Sequence, residues 1–201
     1  MAPDPVDKLK AEVIEAARRA YAIGLQTGNG GNLSSRIAGT DRVLIKGSGH
    51  SFGECTPQTL VTVSLQGELV EGEGSPSREV FTHLAIYNAR PDVMGIFHCH
   101  APWSIACAEF AGDIPCLAFH AAAKIGCIPV LRTDGHADRT AAQAVNALLE
   151  RHPGLKAFVQ ARHGIFSMAG SIRLAEHQAE LVEETAKVAW LVAARRQPAP
   201  V

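Results

Sequence analysis

Apolar residues recur at three- and four-residue steps through Leu9, Val13, Ala17, Ala20 and Tyr21, behind an Asp4-Pro5 pair suited to an N-cap and a first helical position. They predict an amphipathic helix running to about Gly24. The run Thr27-Gly28-Asn29-Gly30-Gly31-Asn32 then breaks any helix. Short strands are predicted at Leu33–Ile37 and Arg42–Ile45 around the turn Ala38-Gly39-Thr40-Asp41, followed by a second glycine-rich turn, Lys46-Gly47-Ser48-Gly49. Leu60–Leu65 and Glu68–Val70 read as a hairpin joined at Gln66-Gly67. Ser77 is the predicted N-cap of a helix that ends before Pro91. The apolar run Val93–His100 predicts a buried strand. Further elements are a helix at Trp103–Phe110, strands at Ile128–Leu131 and Ala157–Gln160 with a helix from Ala137 to Arg151 between them, and a strand at Gly164–Met168. A last long helix, Ser171–Arg195, carries Ile172, Ala175, Ala179, Val182, Ala186, Ala189 and Ala193 on one face, and Pro198 and Pro200 close a frayed tail. Because the early strands come in hairpin-like groups, the expected fold class is α/β with a mixed or mainly antiparallel sheet flanked by helices, not a doubly wound parallel sheet.

The 201 residues suit a single domain, 1–201, with no repeat or linker. Apolar residues are 47% and charged residues 19%, an ordinary globular balance. A net charge of -1 lacks the basic excess of a nucleic-acid surface. No apolar stretch is long enough to span a bilayer, and Met1–Lys10 lacks the layout of a signal peptide. The five cysteines are odd in number and dispersed, with no Cys-x-x-Cys, which argues against a disulfide framework. A soluble cytoplasmic protein is expected.

Candidate chemistry enters at His98-Cys99-His100. On a strand His98 and His100 point to one face and Cys99, a buried small residue by default, to the other. Two neutral imidazoles side by side are half of a metal site. Glu79, placed in the first turn of the preceding helix, and His163 in Gln160-Ala161-Arg162-His163-Gly164 supply the rest. Each piece has an ordinary explanation: an acid in a first turn complements the helix dipole, and His-Gly is a common turn. Together they make three histidines and a carboxylate, which fill a tetrahedral zinc shell and open a position if the carboxylate leaves. The glycine-rich turns can converge backbone N–H groups on an anion, with Asn32, Ser34, Ser35, Ser48 and Ser77 as further donors and Lys46 and Arg78 as nearby cations.

In order along the chain, Gly31-Asn32-Leu33-Ser34, Ile45-Lys46-Gly47-Ser48-Gly49, Pro76-Ser77-Arg78-Glu79, Arg90-Pro91-Asp92-Val93, His98-Cys99-His100, His163-Gly164 and the helix Ala175–Trp190 resemble the class II aldolase/adducin family. The resemblance implies a mainly antiparallel sheet between helical layers (three-layer αβα) and a homotetramer with active sites between subunits. It implies that His98, His100, His163 and Glu79 bind a divalent metal, zinc first, with manganese, cobalt or iron(II) as alternatives. Glu79 would also be the catalytic acid/base, and Asn32, Ser48, Gly49 and Ser77, joined here by Arg78, would bind the phosphate of a small sugar-phosphate substrate. The implied activity is a lyase: retro-aldol cleavage of a hydroxy-ketone through a metal-stabilised enediolate. Arg78 stands where a family pattern has serine, and Lys46-Gly47 where Thr-Pro is common. The family's tyrosine proton donors have no counterpart, since Tyr21 and Tyr87 lie elsewhere, which leaves His120 or His136 as substitutes. Family alternatives are a decarboxylase of an oxo-acid sugar phosphate and a thiosugar-phosphate dehydratase; a 4-epimerase is disfavoured, because those relatives place an aspartate where Glu79 stands. An adducin-like interaction domain is the non-enzymatic alternative, and an unrelated His-x-His barrel is disfavoured by the long terminal helices.

Overall fold

Asp4 accepts from the Val6 N–H at 2.9 Å, and Pro5 opens helix α1 (Pro5–Ala22), whose buried stripe is Val13, Ala16, Ala17 and Ala20. This is a computed structural model, and it describes residues 4–110, 112–133 and 139–195. After α1 come β1 (Asn32–Ile37), β2 (Arg42–Lys46), a 3-10 turn at Pro57–Thr59, β3 (Leu60–Ser64) and β4 (Leu69–Glu71). Then follow α2 (Val80–Ala89), β5 (Gly95–Cys99), α3 (Pro102–Phe110), α4 (Phe119–Lys124) and β6 (Val130–Leu131). The described elements end with α5 (Arg139–Arg151), β7 (Ala157–Gln160), β8 (Gly164–Ala169) and α6 (Ile172–Arg195).

The strands form one sheet in the order β4-β3-β2-β1-β5-β8-β7-β6. Each neighbouring pair is antiparallel except β6–β7. The expected mixed, mainly antiparallel sheet between helical layers is therefore what the chain forms. Two apolar clusters sandwich it. One gathers α1, α3 and α6 against Leu33, Phe97, Cys99 and Ile165; the other gathers α2 and α5 against Ile45, Ile96, Phe158 and Phe166. The central strand β5 is buried along its whole length, and its period-two alternation sends Phe97 and Cys99 to the first layer and Ile96 to the second.

The structure shifts some boundaries. The helix expected to start behind Ser77 begins at Val80, with Glu79 at the N-cap, because Pro76–Arg78 is held as a separate turn: the Val80 N–H bonds the Ser77 carbonyl at 3.0 Å and Gly47 bridges Pro76. β5 stops at Cys99, so His100 lies one residue beyond it. The short helix α4 is an element the hydrophobic pattern did not predict, since its Phe119 is 97% exposed and only Ala121 is buried. The start of the Ala137 helix and the tail from Pro198 lie outside the described residues.

Gly95 lets α6 begin against the sheet: a Cβ there would stand 2.3 Å from the Ile172 nitrogen and 2.5 Å from its Cα. Backbone cannot yield as a side chain does. Gly95→Ala should cost about 3 kcal/mol or more, which lowers the melting temperature by roughly 6–12 °C for a domain of this size. Gly170→Ala, with nothing within 4 Å of its Cβ, should stay within error in the same thermal melts.

Candidate active site

The sequence-distant residues His98, His100, His163 and Glu79 meet at one point. His98 is fully buried near the end of β5, His100 follows it, His163 sits in the β7–β8 turn and Glu79 caps α2. Glu79 Oε2 lies 3.1 Å from His98 Nε2, and Glu79 Oε1 lies 3.1 Å from His163 Nε2. His98 Nε2 and His100 Nε2 are also 3.1 Å apart, and the ligand nitrogens of the three histidines all lie within 4.8 Å of one another. The β7–β8 turn that delivers His163 is tight. Arg162 takes a positive φ of 61°, and a Cβ on Gly164 would stand 2.1 Å from the Cys99 carbonyl oxygen, so only glycine fits there.

Hydrogen bonds on the far sides of the rings decide what the near sides present. His98 Nδ1–H donates to the Ile165 carbonyl at 2.8 Å, which leaves the lone pair of the neutral ring on Nε2. His163 Nδ1 is 3.1 Å from Gln160 Oε1, and the Gln160 amide is oriented by its Nε2–H donating to Thr133 Oγ1 at 2.7 Å. His163 thus also turns an Nε2 lone pair inward. Stacking on Phe166, 4.1 Å between ring centres and 17° between planes, holds the His98 ring. Carboxylate oxygens and imidazole lone pairs face one another at 3.1 Å, and Glu79 Oε1 is buried with no hydrogen-bond donor. Acceptors at that spacing repel unless positive charge stands among them, so the residues present fit a cation. Burial alone would push the Glu79 carboxyl up, but positive charge on the neighbouring His98 and His163 rings, which is the charge a cation would supply there, and the Asn32 amide hold it well below the ordinary carboxylate range.

The sequence profile of the Class II Aldolase and Adducin N-terminal domain matches residues 11–190. The chain belongs to this family. It is 29% identical over 186 residues to 5-deoxy-D-ribulose 1-phosphate aldolase of Bacillus thuringiensis serovar kurstaki, covering 91% of this chain and 84% of that one. Among solved structures it resembles L-fuculose 1-phosphate aldolase, with a TM-score of 0.87 and 27% identity over 96% of this chain and 90% of that one. It also resembles YgbL of Klebsiella pneumoniae, described as an aldolase/epimerase/decarboxylase, with a TM-score of 0.86 and 29% identity over 94% and 92%. The first two of these relatives are aldolases, lyases by activity, and the chain is a class II aldolase-type enzyme.

A cavity of about 480 Å³ opens over His100, His163 and Glu79, with His98 buried beneath them. Asn32, Ser48, Gly49, Ser77 and Arg78, the anion-binding candidates, all line it, together with Lys46, Glu79, His100 and His163. Asn32 Nδ2 donates to Glu79 Oε2 at 2.5 Å, and Ser77 Oγ accepts from the Glu79 N–H at 3.4 Å. Tyr21 and Tyr87 stand outside the cavity lining, as does His120, exposed on α4 with Nε2 3.6 Å from Glu184. His136 lies outside the described residues. Ser35 faces away, donating to the Met94 carbonyl at 2.9 Å. Cys99 is fully buried, with its thiol pushed up by burial.

Sequence reasoning missed the residues that orient the site. Gln26 accepts from the His100 N–H at 2.8 Å and donates to the Thr27 carbonyl at 2.6 Å, tying the glycine-rich loop to the end of the strand that carries His98. Gln160 closes β7 three residues before His163, and that polar residue at a strand end was the available signal. Behind Glu79, one turn along α2, His83 Nδ1 and the Tyr87 hydroxyl share Ser34 Oγ at 2.6 and 3.0 Å.

Burial pushes His83 down from 6.5 to about 3, opposed by Glu79. Between those values the unfolded chain binds the proton and the folded one does not. Stability that is full above pH 6.5 is therefore lost as the pH falls through this window, with a slope of up to about 1.4 kcal/mol per pH unit. Denaturant melts of His83→Gln should show a flatter decline from pH 6.5 to 4 than the parent protein. Parallel declines would mean that His83 is not held neutral.

Proposed function

We propose that this chain is a metal-dependent aldolase, one domain over 1–201, that cleaves a small phosphorylated hydroxy-ketone by retro-aldol chemistry. The observation that carries this reading is the inward convergence of three imidazole nitrogens and the Glu79 carboxylate on the floor of the cavity lined by Ser48, Gly49, Ser77 and Arg78. His98, His100 and His163 would hold the cation, zinc in first place, with manganese, cobalt or iron(II) as alternatives. When bound, the ion supplies Lewis-acid stabilisation of negative charge developing on substrate oxygens.

The protein's own groups divide the remaining work. The His98 and His163 rings are fixed by their outer hydrogen bonds, and the His100 backbone by Gln26, so little reorganisation accompanies the reaction. Asn32 restrains Glu79 Oε2, which leaves Oε1 as the atom that takes or returns the proton at the nucleophilic carbon. Arg78, which makes no hydrogen bond or ion pair among the described residues, presents its guanidinium to the anionic end of the substrate, with the Ser48 and Ser77 hydroxyls and the Gly49 N–H beside it. A second reading, decarboxylation of an oxo-acid sugar phosphate, draws on the same unpaired Arg78, which suits a substrate with an additional carboxylate.

A homotetramer with active sites between subunits, acting in the cytoplasm, completes the reading. An apolar groove lined by Cys107, Phe110, Pro115 and Trp190, with Phe110 79% and Leu191 51% exposed, supports self-association. Five unpaired cysteines suit a reducing compartment, and no described helix is long and apolar enough to cross a membrane.

Dihydroxyacetone phosphate release from a panel of ketose 1-phosphates, with and without chelator, tests the activity; carbon dioxide release from a parallel panel of oxo-acid sugar phosphates, with no cleavage of the ketose 1-phosphates, selects the second reading. His98→Ala should lose bound metal by elemental analysis and on the order of a thousandfold in rate, several kcal/mol of lost charge stabilisation. A variant that keeps full metal content and full rate would refute the assignment.

A further inference from the structure

Lys46 ends β2 opposite Leu60 of β3 and is only 2% exposed, among the largest buried side chains. Among the described residues no carboxylate lies within ion-pair distance of it. Its Nζ donates to the Gly47 carbonyl at 3.2 Å and the His50 carbonyl at 2.5 Å, and it lies 5.8 Å from the centre of the Phe52 ring. Leaving water without a counter-charge is costly for an ammonium, and two carbonyl dipoles are a partial offset. The nearby Cys55 thiol is pushed up by burial and is neutral at pH 7, so it does not balance the charge.

The geometry around the ammonium explains the expense. A peptide group is planar, with its C=O and N–H on opposite edges. With the Gly47 carbonyl drawn to Lys46, the Ser48 N–H on the same peptide points away and donates to the Ser75 carbonyl at 2.9 Å. That bond, with the Gly47–Pro76 bridge, sets the Lys46–His50 turn in register with the Ser75–Arg78 turn. Between the two gathered carbonyls, Gly49 takes a φ of +82°, and its N–H has no partner among the described residues. Carbonyl oxygens released from Lys46 would be free to turn outward, where they would repel an anion.

We propose that Lys46 is a positioning residue for the anion pocket: its ammonium gathers the Gly47 and His50 carbonyls inward, so that the Ser48 hydroxyl and the Gly49 N–H face the cavity. The inference rests on the reading that Ser48 and Gly49 receive the substrate's anionic group. It assigns to Lys46 the shape of the turn and not a contact with substrate. Burial lowers the ammonium to about 8, which still leaves it charged at neutral pH.

Inorganic phosphate is the probe, titrated calorimetrically into the metal-loaded protein, with amide hydrogen exchange followed over residues 47–51. Lys46→Met should lose about tenfold or more in phosphate affinity, the scale of one charge-supported contact, at unchanged metal content. Exchange should rise in that turn and not elsewhere. A loss of affinity with the turn still protected would make Lys46 a direct ligand and overturn the proposal, as would a loosened turn with unchanged affinity. If Lys46→Met does not fold, Lys46→Gln carries the comparison: its two amide N–H donors without charge should keep both turn protection and most of the affinity. Equal protection with a full loss of affinity would again overturn it. Because phosphate binding requires no turnover, a protein that shows this pattern yet cleaves no ketose phosphate removes only the aldolase reading.

Discussion

The site is organised around an electrostatic conflict. Lone-pair acceptors from two imidazoles and a carboxylate are pressed to 3.1 Å in a buried pocket, an arrangement stable only with positive charge among them. Much of the surrounding structure holds that conflict in place. The Ile165 carbonyl and the Gln160 amide set the ring tautomers, Phe166 fixes the plane of His98, and the start of α2 brings Glu79 in against the histidines. A looser fold would relax by rotating a ring or withdrawing the acid, and the cation site would vanish.

The layered architecture supplies the rigidity this needs. β5 lies inside the sheet with apolar helical layers on both faces, so His98 rides on a strand that cannot shift without disturbing two cores. The cavity wall proposed to receive an anion is built differently, from two turns cross-linked by the Gly47–Pro76 bridge and the Ser48–Ser75 hydrogen bond. On the proposed function, a rigid floor would stabilise charge and a loop-built wall would hold the rest of the substrate, which suits a scaffold whose relatives are named for different sugar phosphates.

Hydrophobic periodicity was enough to place most of the elements. α1, the β1–β4 strands, β7, β8 and α6 appear within a few residues of their expected bounds, since their apolar positions keep a clear helical or alternating period. The failures have physical causes. Ser77 resembled an N-cap, but the Pro76–Arg78 turn is pinned to a distant loop and delays the helix to Val80. α4 buries one alanine and so leaves no periodic trace. Gln26 and Gln160 resembled ordinary loop and strand-end polar residues, because their importance lies in partners 74 and 3 residues away whose geometry no local pattern records.

The sequence by itself determined the fold class, the two-face split of β5 and the set of chemically able residues, because periodicity, residue type and ordered motifs are local properties. It could not say that Asn32 touches Glu79, that the histidine lone pairs point inward or that Lys46 is buried without a counter-ion. Those facts depend on ring rotation, backbone direction and exclusion of water, and each is settled only when strands and turns far apart in the chain are packed together.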